Sequence, residues 1–93
     1  MKSLRLLPFF LLAAFVPDAV AADKKVLLIA GLPSHGPGAH EHNAGVLLLQ
    51  KCLAGTKGLM VDVSLNGWPR DAAALNGVDA VVMYCDGGVK HLA

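Results

Sequence analysis

Val26-Leu27-Leu28-Ile29-Ala30 is a run of five apolar residues with no polar interruption. A strand with one wet face alternates, so an unbroken run of this length marks a strand buried on both faces, as in a parallel sheet. Directly after it comes Gly31 to His42, punctuated by Gly and Pro, which reads as a loop. A buried parallel strand followed by a loop and then a helix places that loop at the carboxyl edge of the sheet. That edge is where open α/β sheets bind ligands.

The rest of the chain repeats the pattern. Asn43 is expected to cap a helix over about Ala44 to Leu53, with Gly55 and Gly58 closing it. Leu59 to Leu65 alternates and predicts a second strand with one polar face. Asn66-Gly67-Trp68-Pro69 is a turn, and Asp71 can cap a short helix over Ala72 to Asn76, ended by Gly77. Val78 to Tyr84 predicts a third strand, followed by the tight turn Cys85-Asp86-Gly87-Gly88. The order β-α-β-α-β implies an α/β fold with parallel pairing and right-handed crossovers.

The residues before this pattern have a different character. Lys2 and Arg5 precede the apolar stretch Leu6 to Val16, and Ala19-Val20-Ala21 supplies a small-x-small cleavage pattern. Together these features predict a signal peptide over residues 1–21 and an exported protein, periplasmic or secreted. The alternative is a membrane anchor, but the apolar stretch falls short of the roughly 20 residues a span needs. After cleavage no membrane association is expected. Residues 22–93 then form the folded part, a length that buries only a modest core. Three strands with two helices leave an open sheet edge, so this part is expected to be the N-terminal portion of a larger domain. The alternative is a small domain completed by a partner.

The net charge of +1 gives no reason to expect a nucleic-acid partner. Cys52 and Cys85 are too few for a disulfide framework, and free buried thiols are expected.

The chemistry concentrates in Ser34 to Asn43, S-H-G-P-G-A-H-E-H-N, which holds three of the four histidines. His35, His40 and His42 suit a divalent metal such as zinc, although H-x4-H-x-H matches no standard zinc signature. They suit equally a direct acid–base or substrate-binding role, and the plain alternative is a polar loop ordered by its own hydrogen bonds. Ser34 is either a hydroxyl donor to a ligand or a turn residue. Asp86 follows the third strand and so faces the same sheet edge, as ligand, base, hydroxyl acceptor or turn residue. Trp68, the only tryptophan, can stack on a sugar face or pack over the sheet edge. His91 lies just beyond. The spacing of Gly31, Gly36 and Gly38 excludes a dinucleotide fingerprint.

The motifs V-L-L-I-A-G-x-P-S-H-G-P-G-x-H-E-H-N, G-W-P at residue 68 and D-A-V-V-x-Y-x-D-G-G resemble the ThuA-like family, named for trehalose utilisation, in the class I glutamine-amidotransferase-like superfamily. The resemblance implies a flavodoxin-like parallel sheet with flanking helices. It implies an exported domain that acts on or binds carbohydrate or glycoside, by hydrolysis, elimination or a redox-linked step, with metal assistance as an option. His35, His40, His42 and Asp86 would carry the chemistry, and Ser34, Glu41 and Trp68 would contact the substrate. Gly87 and Gly88 match the superfamily's oxyanion-hole position. The G-x-C-x-G elbow of the amidotransferases does not occur in these 93 residues, so glutaminase activity is not expected. The competing readings are a non-catalytic sugar-binding or interaction module of a larger exported protein, and an inactive fragment.

Overall fold

The computed structural model describes residues 23–86. The expected signal peptide, Gly87, Gly88 and His91 lie outside the described residues. Three strands, β1 (Lys24–Ala30), β2 (Leu59–Ser64) and β3 (Ala80–Tyr84), form one parallel sheet in the order β2-β1-β3. That order, with β1 in the middle, is consistent with a flavodoxin-like arrangement of strands. The register runs from Lys24 opposite Leu59 to Ile29 opposite Ser64, and from Val26 opposite Ala80 to Ala30 opposite Tyr84.

The unbroken run of β1 occupies the centre, where its residues are most deeply buried. Leu28 and Ala30 pack against Val46 of the helix α1 (His42–Leu53), with Val26, Val61 and Val63 at the margin of this core. Leu27 and Ile29, which strand alternation directs to the other face, are equally buried. The double-sided burial inferred from the apolar run is therefore present. β2 keeps its alternation, with Met60 and Asp62 outward. Lys25 on β1 forms an ion pair at 3.0 Å with Asp62 across the pair of strands.

Three boundaries depart from expectation. First, α1 starts at His42, and Asn43 lies inside its first turn instead of capping it. Asn43 is engaged elsewhere: its Oδ1 accepts from the Asn66 backbone N–H at 3.1 Å, and its Nδ2 donates to Asn66 Oδ1 at 2.9 Å. Second, the segment Ala72–Leu75 is a single 3-10 turn and not an α-helix. Asp71 does cap it as expected, accepting from Ala73 N–H at 2.9 Å. Third, β3 begins at Ala80. The preceding Asp79 accepts the Lys25 N–H through its carboxylate at 2.8 Å, and its own N–H donates to Lys25 O at 2.8 Å. Asp79 thus pairs with Lys25 through both its backbone N–H and its side chain just before the strand begins.

Both cysteines are free, as expected, but Cys52 is exposed on α1 and Cys85 is half-buried, so neither is a core thiol. No helix among the described residues is long and apolar enough to cross a membrane.

Candidate functional site at the carboxyl edge of the sheet

The three strands deliver their carboxyl ends to one place. Gly31 N–H donates to Tyr84 O at 2.8 Å, and Gly67 N–H donates to Ala30 O at 2.7 Å. The loop after β1, the turn after β2 and the exit of β3 are thereby tied together. Gly31 is required at this junction, since a Cβ there would lie 2.6 Å from Cys85 Cβ and 3.3 Å from His42 Nδ1. Only a residue without a side chain lets the end of β3 approach closely enough to bring Asp86 to the histidine loop.

The loop itself is shaped by backbone turns. His40 adopts φ +51°, in the left-handed region, which histidine visits more often than most residues. Glu41 follows at φ −75° and ψ 70°, and His42 N–H donates to His40 O at 2.8 Å, which together make an inverse γ-turn. Gly45 N–H donates to Glu41 O at 2.9 Å and opens the helix. Two consecutive reversals of direction bring His40 and His42 to the same side, with ring centroids 6.0 Å apart. His35 folds back onto His40 edge-on, at 4.4 Å between centroids.

All three imidazoles face one carboxylate. Asp86 Oδ2 lies 3.2 Å from His40 Nδ1 and 3.5 Å from His35 Nε2, while Asp86 Oδ1 lies 3.9 Å from His42 Nε2. Ser34 Oγ is 3.4 Å from His40 Nδ1. The Ser34 hydroxyl, first, holds the Asp86 carboxyl below the usual carboxylate range; partial burial opposes this, and the His40 imidazole adds to it. Asp86 is thus an anion at neutral pH.

His42 differs from the other two. It is 3% exposed, its ring stands edge-on to Tyr84 at 5.1 Å, and its Nδ1 is 3.1 Å from Leu32 O. A carbonyl oxygen only accepts, so Nδ1 carries a proton, and the ring's other nitrogen, Nε2, is left for the cluster. This Nε2 faces Asp86 beyond hydrogen-bond distance.

Of the residues singled out from sequence, His35, His40, His42, Asp86 and Ser34 converge. Glu41 borders the same cleft, but its carboxylate accepts Gly38 N–H at 2.7 Å and so shapes the loop. Trp68 is 45% exposed in the turn after β2 and does not line the cleft. Sequence reasoning missed two supports. One is the Asn43–Asn66 clasp, which fixes the start of α1 to the turn after β2. The other is Tyr84, which packs against His42 and against Gly45, where a Cβ would run into its ring. The Asn-Gly pair at 66–67 announced a turn, but nothing local announced its partner.

The cleft over the loop offers only about 60 Å³. That exceeds the roughly 10–15 Å³ one water needs and falls far below the several hundred Å³ of a drug-sized site. It accepts an ion or a few waters, or one polar group of a larger ligand lying above it.

Fold and site define an α/β protein with a parallel sheet and a histidine–carboxylate cluster at the carboxyl edge. In comparisons with known proteins, no family model, no curated protein and no solved structure matches the chain.

Proposed function

We propose that the chain is a ThuA-like domain of an exported protein that acts on a carbohydrate or glycoside. The observation that carries this reading is the convergence of His35, His40 and His42, all from one loop, on Asp86 from another strand. Such a cluster at a strand end suits proton transfer to and from sugar hydroxyls, with a carboxylate orienting imidazoles that can donate or accept a proton. The three motifs that resemble the ThuA-like family support the substrate class, and the segment over residues 1–21 supports export. Trp68 would supply an apolar platform for a sugar ring bound above the cleft.

The test is turnover of a glycoside panel by the exported protein and its His40→Ala/His42→Ala double variant. Turnover by the parent that falls by about 100-fold or more in the variant is expected, in line with the size of a general acid–base contribution. A panel on which the parent has no activity overturns the enzyme reading.

The second reading, a non-catalytic sugar-binding module, is favoured by the small volume of the cleft, about 60 Å³. It predicts saturable glycan binding by the parent with no product formed.

A further inference from the structure

His35 and His40 converge on one oxygen of Asp86, with His35 Nε2 at 3.5 Å and His40 Nδ1 at 3.2 Å from Oδ2. The donor atoms of His35, His40 and Asp86 all lie within 4.8 Å of one another.

We infer that His35 Nε2, His40 Nδ1 and Asp86 Oδ2 form a three-donor site for a divalent transition-metal ion, best matched to zinc. Metal–nitrogen and metal–oxygen bonds to zinc are about 2.0–2.2 Å, so donors on a tetrahedron stand roughly 3.3–3.5 Å apart. The separations of 3.2 Å and 3.5 Å from Asp86 Oδ2 to the two ring nitrogens lie close to that edge length. Two imidazoles and one carboxylate are a zinc donor set that leaves the fourth position open for water or substrate. His42 stays outside the donor set: its Nε2 is 3.9 Å from the other carboxylate oxygen, and its buried ring is held by the Leu32 carbonyl. Of the three histidines singled out from sequence as candidate metal ligands, His35 and His40 are kept, Asp86 enters from a distant strand and His42 is left out.

The inference is independent of the carbohydrate reading, because binding is read without substrate. The whole chain, carrying Cys52→Ser to remove the exposed thiol, is titrated with zinc against a chromophoric chelator and with cobalt(II) by visible absorption. Binding of one equivalent, an intense cobalt band of low coordination number and a rise in Tm with zinc are expected. His35→Ala and Asp86→Ala should each weaken zinc by roughly 100-fold or more, since loss of an outer partner alone costs 10–100-fold. His35 is exposed, so its removal leaves the fold intact, and the Tm rise should vanish in that variant. Zinc affinity unchanged in His35→Ala and Asp86→Ala, or binding that depends on Cys52, overturns the inference. So does a cobalt spectrum no different from the aqueous ion.

Discussion

At the scale of single residues, the site is built by backbone conformations that its side chains do not prefer. His40 holds a left-handed φ, which costs a non-glycine residue about 1–2 kcal/mol. His40→Gly is therefore expected to be more stable than His40→Ala by about 1 kcal/mol in urea unfolding, although both lose the imidazole. Equal stabilities would show that this turn is not strained. Asp86 sets a pH dependence. Its carboxyl titrates below its unfolded value, with the Ser34 hydroxyl as the first cause. The stabilisation is therefore complete above the unfolded carboxylate value of about 3.9 and is lost as pH falls through the lower, folded one. Asp86→Asn should flatten the acid limb of the stability curve below about pH 4 while leaving its shape near pH 7 unchanged. An acid limb of the same steepness in both proteins would contradict the assignment.

At the scale of elements, the helix and the third strand are fitted to each other at one point. Gly45 sits inside α1, where alanine is ordinarily better by about 1 kcal/mol. Here a Cβ would meet the Tyr84 ring. Gly45→Ala is therefore expected to destabilise, by roughly 1–3 kcal/mol, against its helix propensity. Combined with Tyr84→Ala the cost should fall well below the sum of the two single changes, as contacting residues require. Additive costs would mean that the ring and the glycine are not in contact. The same fit explains why α1 begins early. Asn43 is drawn into the clasp with Asn66, Glu41 is drawn to Gly38, and the helix starts with no side-chain cap. Capping preference is a local signal, and long-range hydrogen bonds overrode it here.

At the scale of the whole molecule, the sheet is unevenly protected. β1 is buried on both faces, whereas every residue of β3 is exposed and none is charged. Among the described residues β3 pairs only with β1. An uncharged, apolar edge strand is a site for further strand pairing. Concentration-dependent self-association is therefore expected in sedimentation, and Val82→Lys should reduce it markedly by placing a charge on that edge. A monomer at all concentrations would show that this edge is covered in solution. The α1 surface contributes to the same imbalance, since Leu47, Leu48 and Leu49 are also exposed.

The sequence by itself determined the elements and their order. Strand alternation, an unbroken apolar run and glycine or proline punctuation act over a few residues, so β1, β2, most of α1 and the Asp71 cap were all legible. It also pointed to the loop that carries the histidines. The tertiary structure decided what those histidines meet. Asp86 is 46 residues from His40, and the two are brought together only because β3 pairs beside β1 and Gly31 lets their ends approach. It also separated His35 and His40, exposed and sharing one carboxylate oxygen, from His42, buried with its Nδ1 against the Leu32 carbonyl. Each of those outcomes depends on packing between segments far apart in the chain, and no local pattern encodes it.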